Sequence, residues 1–141
     1  LQDCELDAKY TKGLDQLKYL QSPTLNQTKF DVDSIRELSL LRQLRSLQLD
    51  QVEGHSKILQ ALANSKRLYH LELRDQKLSD ADLQLLKTLP RLTQLDLRYA
   101  TLPANAMKEL SQIKSLFSLS LDKAKYKPDF DCLSMRFRAQ I

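Results

Sequence analysis

Leu68-Tyr69-His70-Leu71-Glu72-Leu73 and Leu92-Thr93-Gln94-Leu95-Asp96-Leu97 share the pattern L-x-x-L-x-L and start 24 residues apart. The same hexad stands upstream at Leu44-Arg45-Ser46-Leu47-Gln48-Leu49 and downstream at Leu116-Phe117-Ser118-Leu119-Ser120-Leu121, at the same interval. One interval earlier, Leu20-Gln21-Ser22-Pro23-Thr24-Leu25 keeps both outer leucines and has proline in the middle slot. One further back, Leu1 fills the last leucine slot of a motif whose beginning is missing. Other columns hold the register: Leu14, Leu38, Leu62, Leu86 and Leu110 form one, and Leu17, Leu41, Ser65, Leu89 and Ile113 another. A fixed interval of this length marks a repeat architecture.

The L-x-L alternation has the period of two of a short strand with one buried face. The second half of each repeat advances by three, as in Ile35, Leu38 and Leu41 or Leu83, Leu86 and Leu89, which is helical spacing. Each unit therefore reads as strand, turn, short helix and return. No unit can bury its apolar stripe alone, so neighbours must stack into a continuous core, with a parallel sheet on the inner curve and helices on the outer one. Helix starts are signalled by Ser79 followed by Asp82, a capping box with a shorter acid, by Asp31 or Asp33 ahead of residues 34–42, and by Pro103 at a first helical position.

The chain has 141 residues, 31 of them leucine, which suffices for one domain with a sizeable core. It contains no apolar run of membrane-spanning length, signal peptide or lipidation motif. Because it begins with leucine in mid-motif, the expectation is a piece of a longer protein. Residues 1–126 read as leucine-rich units, the first truncated and about five complete, and residues 127–141 as a C-terminal cap. Phe130, Leu133, Met135 and Phe137 suit a cap that covers the last layer of core. The alternation Met135-Arg136-Phe137-Arg138 reads as a final strand or an extended flap. The formal net charge is +4, with a local excess at Lys123, Lys125, Lys127, Arg136 and Arg138 that reads as solvated charge around the cap, with a site for anionic partners as the alternative. Cys4 and Cys132 lie about five inter-strand steps of roughly 4.8 Å apart, well beyond disulfide reach. Two free thiols lean toward a reducing, intracellular compartment.

The hexads resemble those of the leucine-rich-repeat family up to about residue 126. Leu78-Ser79-Asp80-Ala81-Asp82-Leu83, followed by Leu86, Leu89 and Pro90, resembles bacterial members whose repeats read roughly x-T-D-A-G-L-x-x-L. The resemblance implies an α/β solenoid, a right-handed superhelix with a parallel sheet on its concave face and short helices on its convex face. One column departs from the family pattern. Where asparagine or cysteine is usual, this chain has Cys4, Thr28, Val52, Gln76, Ala100 and Ala124. An uninterrupted side-chain ladder cannot form there, so backbone contacts or water must satisfy the turns.

The positions that alternate with the leucines project onto the concave face, which the family uses to bind proteins. They form three rows: Ser22, Ser46, His70, Gln94 and Ser118; then Thr24, Gln48, Glu72, Asp96 and Ser120; then Asn26, Asp50, Arg74, Arg98 and Asp122. Its centre is made of His70, Glu72, Arg74, Gln94, Asp96, Arg98 and Tyr99, and arginine and tyrosine are favoured interface anchors because each combines large contact area with directional hydrogen bonds. Two readings of this patch stand side by side: a binding surface, or a ladder of diagonal ion pairs, Glu72 to Arg98 and Asp96 to Arg74.

The expected function is that of a protein-binding recognition module, with another protein or peptide as partner. Its alternatives are a structural or self-associating scaffold and the recognition domain of a multidomain kinase or effector. One histidine and two carboxylates on an open face lack the converging geometry of a metal or catalytic site, and His55 falls at the start of an outer helix. With only Gly13 and Gly54 there is no glycine-rich phosphate loop. No catalytic residue, cofactor, metal, nucleic-acid partner or membrane insertion is therefore expected. Asn26-Gln27-Thr28 forms an N-glycosylation acceptor, which matters only in a secreted eukaryotic protein.

Overall fold

The computed structural model describes residues 21–22, 24–26, 43–63, 65–126 and 138–140. The leucine hexads become short strands: β1 (Thr24–Asn26), β2 (Ser46–Asp50), β3 (His70–Glu72), β4 (Gln94–Asp96) and β5 (Ser118–Ser120), followed by β6 (Arg138–Gln140). Between β2 and β5 the chain passes through α1 (His55–Leu62), α2 (Asp80–Lys87) and α3 (Ala106–Ser111). The six strands form one all-parallel sheet in sequence order. From β2 to β5, parallel pairing follows from the connectivity, because each crossover through a helix brings the chain back to the same end of the sheet.

The register repeats the sequence interval. Ser46 pairs with His70, His70 with Gln94, and Gln94 with Ser118, each 24 residues on. The step from β5 to β6 shortens to 20, with Ser118 opposite Arg138. The strand at the end of the chain thus begins at Arg138, the last residue of the Met135–Arg138 alternation. The other residues read as a cap, 127–137 and 141, lie outside the described residues. So do Cys4 and Cys132, the helix of 34–42 with its candidate caps, and Gln27 and Thr28 of the acceptor triplet.

The core is built from columns. Leu44, Leu68, Leu92 and Leu116 open the hexads; Leu47, Leu71, Leu95 and Leu119 follow; Leu49, Leu73, Leu97 and Leu121 close them; all twelve are buried. The helical halves meet them with Ile58, Leu59 and Leu62, with Leu83, Leu86 and Leu89, and with Ala106, Met107, Leu110 and Ile113, in one continuous cluster. Burying a side chain of this size contributes roughly 1.5–3 kcal/mol. Stacking is therefore what holds strands of only three residues in place.

Helix starts differ from unit to unit. Ser79 and Asp82 form the reciprocal box at α2: the Asp82 carboxylate accepts from Ser79 N at 2.8 Å, and Ser79 Oγ accepts from Asp82 N at 3.3 Å. Gly54 precedes α1 in a left-handed conformation, φ 84°. Pro103 does not occupy the first position of α3. Its carbonyl accepts from Ala106 N at 3.1 Å, closing a turn, and the helix begins three residues later, after Asn105.

The turns after the strands share an unusual backbone. Gln51, Asp75, Tyr99 and Lys123, again 24 apart, all have positive φ, between 53° and 62°. Such geometry costs an ordinary residue roughly 1–2 kcal/mol. In the first three, the turn is tied to the next unit: Gln51 N donates to Arg74 O at 3.4 Å, Asp75 N to Arg98 O at 3.2 Å, and Tyr99 N to Asp122 O at 3.1 Å. Backbone also does the work that the interrupted asparagine column leaves open. Thr101 N donates to Gln76 O and Lys125 N to Ala100 O, both at 2.8 Å.

Gln76 is the one described member of that column to act through its side chain. With its amide oriented so that donors meet acceptors, its oxygen accepts from Val52 N at 2.7 Å and Gln51 N at 3.0 Å, while its nitrogen donates to Val52 O and to His55 Nδ1.

Two outcomes follow for stability. Leu95→Ala should lower the unfolding free energy by about 2–5 kcal/mol, whereas Ser substitution of Phe117, which is 61% exposed, should change it by less than about 0.5 kcal/mol; urea titration measures both. Asp75→Val should cost about 1–2 kcal/mol through its left-handed backbone while Asp75→Asn stays near wild type, and equal melting of the two would refute that strain.

Candidate functional site

The side chains that alternate with the buried leucines rise from the opposite face of the sheet. Pairing of the strands places Gln48, Glu72, Asp96 and Ser120 in one row, as Ser46, His70, Gln94 and Ser118 are in another. His70, Glu72, Arg74, Gln94, Asp96 and Arg98 line a shallow open depression of about 280 Å³, bordered also by Leu95, Ser118 and Ser120. Tyr99 belongs to the same patch of sequence but does not line this depression. It sits in the following turn, 46% exposed, where its hydroxyl accepts from Lys123 Nζ at 3.4 Å and the ammonium lies 5.3 Å from the ring centre.

Asp96 is the hub. It stands on the outward face, yet only 6% of it is exposed, because two arginines cover it. Arg98 donates through Nε and Nη2 at 2.9 and 2.6 Å to Oδ2, and its backbone N donates to Oδ1 at 3.0 Å. Arg74 reaches the same carboxylate from the turn that follows β3, with Nε at 2.9 Å and Nη2 at 2.8 Å from Oδ2. Burial pushes the Asp96 carboxyl up, but the hydrogen bonds from Arg98 and Arg74 and the charge of Arg74 outweigh it and hold the group below the usual carboxylate range.

The network extends from this hub across three strands. Arg74 Nη2 also lies 2.6 Å from Glu72 Oε2, and Glu72 Oε1 is 3.3 Å from His70 Nε2. His70 Nδ1 is 3.3 Å from Ser46 Oγ, so a proton on Nε2 leaves Nδ1 free to accept from the serine. Of the two diagonal ion pairs suggested by the sequence, Arg74 to Asp96 is formed. The Glu72 to Arg98 contact gives way to Arg98 folding back from the following turn onto Asp96 at the end of β4, and Arg74 bridges both acids. Two carboxylates and two guanidiniums balance, so the patch is close to neutral. Every charged group is already paired and held in place, an arrangement suited to recognition by shape and directional hydrogen bonds.

A second polar cluster, which sequence spacing does not reveal, joins α1 to α2. The first residue of α1, His55, points its Nε2 toward Asp82 Oδ2 of the α2 capping box at 3.5 Å while Nδ1 accepts from Gln76. Asp82 is buried, which works against its charge, but hydrogen bonds from Ser56 and Ser79 and the facing His55 hold its carboxyl low as well. The column position of Gln76 was visible, but its reach back by one unit was not. Among the described residues no group of three or more His, Cys, Asp or Glu side chains converges as for a metal ion. No helix among them is long and apolar enough to cross a membrane.

No family model and no curated protein matches the sequence. The fold does resemble solved structures, among them an internalin from Listeria monocytogenes, a leucine-rich-repeat protein, with a TM-score of 0.51 and 19% identity over 91% of this chain. The chain spans about half of that structure's length, 49%. At this identity the likeness is one of fold.

The two low carboxyls give stability a defined acid limb. A folded-state value below the unfolded one means that the unfolded chain binds more protons, so the contribution is complete above about pH 4 and is lost as pH falls through the folded-state values. Thermal melts in that acid range should flatten in Asp96→Asn and Asp82→Asn, and an acid limb as steep in both as in the parent chain would refute the assignment.

Proposed function

We propose that this chain is part of a leucine-rich-repeat solenoid, with repeats over residues 1–126 and a cap over 127–141, that recognises another protein through the exposed face of its sheet. The mixed α/β fold, the all-parallel sheet in 24-residue register and the fold likeness to the internalin support the solenoid reading. The observation that carries the recognition reading is the array from Ser46 through His70, Glu72, Arg74 and Asp96 to Arg98, fixed above a layer of fully buried leucines. Charged side chains held in this way enter an interface with little further loss of rotamer freedom, which is one of the costs of using arginine as a contact. The role is one of binding, with His70, Glu72, Arg74, Gln94, Asp96, Arg98 and Tyr99 as the contact set.

Selection of a random displayed-peptide library on the chain tests this. The enriched peptides should bind the double variant Arg74→Glu/Arg98→Glu about tenfold or more weakly than the parent chain. Equal binding to both would place the contact surface elsewhere. The single variant Gln94→Ala, which leaves every ion pair intact, provides a second reading should the double variant fold poorly.

A further inference from the structure

A second groove, of about 810 Å³, lies at the N-terminal ends of the strands, where the helices return to the sheet. It is lined by Arg45, Lys66, Arg67 and Arg91, with Tyr69, Pro90, Thr93 and Ser115. Four of these are cations and none is an acid. The bias belongs to the whole rim: the returns 43–46, 65–70, 88–94 and 112–118 contain no aspartate or glutamate. Among the described residues, Arg45, Lys66 and Arg91 form no ion pair, in contrast to the arginines of the sheet face. Arg67 is steadied by donating from Nη1 to Gln43 Oε1 at 2.7 Å, a neutral partner that leaves its charge uncompensated.

Tyr69, in the lining, gives the groove an apolar side and is 41% exposed. Phe117, outside the lining but two units further along the same row, is 61% exposed. Two strand spacings put these rows roughly 10 Å apart, with Thr93 between them. The backbone of the rim has little to offer a ligand. Tyr69 O already accepts from Thr93 N and Gln94 N, and Thr93 O from Phe117 N and Ser118 N. Recognition here must run through side chains.

We propose that this rim groove binds an extended acidic peptide segment carrying an aromatic or other large apolar side chain, contributed by a partner protein. Carboxylates answer the four cations, and guanidinium groups bind them through paired hydrogen bonds. An extended chain rising about 3.3 Å per residue spans the distance between the two aromatic rows in three residues. A single-stranded nucleic acid would instead need aromatic faces spaced for successive bases, which Tyr69 and Phe117, with Thr93 between them, do not provide. The site is separate from the sheet face and stands or falls independently of the role given to that face.

Fluorescence anisotropy with the whole chain tests this directly, using four labelled probes: a glutamate–tyrosine random copolymer, polyglutamate of equal length, oligothymidine and heparin. The copolymer should bind best, in a salt-sensitive manner. Arg67→Glu/Arg91→Glu should weaken it by about tenfold or more, and the charge-matched Lys57→Glu/Lys108→Glu, on exposed positions of α1 and α3, should leave it nearly unchanged. Tyr69→Ser, a milder exposed substitution, should bring copolymer binding down toward that of polyglutamate and serves if the double variant melts early. Tighter binding of oligothymidine or heparin, equal binding of polyglutamate and copolymer by the parent chain, or indifference to the rim variants would each overturn the proposal.

Discussion

Everything in this molecule depends on leucine columns that no single unit can bury alone. Leu47, Leu71, Leu95 and Leu119 stack one above the next, and the strands that carry them gain their place in the sheet from that stacking. The interval of 24 residues is the length of chain needed to run out along a strand, turn, cover the core with a helix and come back in register. Because the leucines fix every outward residue to a row, the surface is organised on a grid before any polar contact is made. His70 must neighbour Gln94, and Glu72 must neighbour Asp96.

That grid creates an electrostatic problem, since Glu72 and Asp96 stand side by side on adjacent strands. The arginines of the next row resolve it by folding toward the acids. Arg74 divides itself between both carboxylates, and Arg98 closes over Asp96. Burying a carboxylate on a solvent-facing surface is costly unless it is paired and fully hydrogen-bonded, and here two guanidiniums and a backbone N–H meet that condition. The same logic operates at the helix ends, where Ser79, Ser56 and His55 surround Asp82. In both places an acid on one unit draws groups from its neighbour, so polar contacts reinforce the stacking that the leucines begin.

Much of this was legible in the sequence. The hexads, the parallel register, the rows of outward residues and the Ser79–Asp82 box follow from spacing alone, because strand alternation and capping are local rules. What spacing could not resolve was competition between equally near partners. Arg98 had two carboxylates within reach and took the one two residues before it, which a row-by-row reading had assigned to Arg74. Pro103 was compatible with a first helical turn, yet it closes a separate turn ahead of Asn105. Gln76 stood in a column where a hydrogen-bonding side chain is useful, but only three-dimensional packing reveals that it serves the preceding unit and meets His55.

The left-handed turns at Gln51, Asp75, Tyr99 and Lys123 bear on how such a surface can vary. Their strain recurs once in each described unit and, at Gln51, Asp75 and Tyr99, is met by a hydrogen bond to the next, so lengthening such an array neither accumulates nor dilutes it. The same geometry restricts the alphabet of the loop crest, since β-branched residues are poorly tolerated at positive φ. Diversity at that edge is therefore drawn from unbranched side chains, long or flat, such as the glutamine, aspartate, tyrosine and lysine that occupy it, while the core beneath stays indifferent to which of them is displayed.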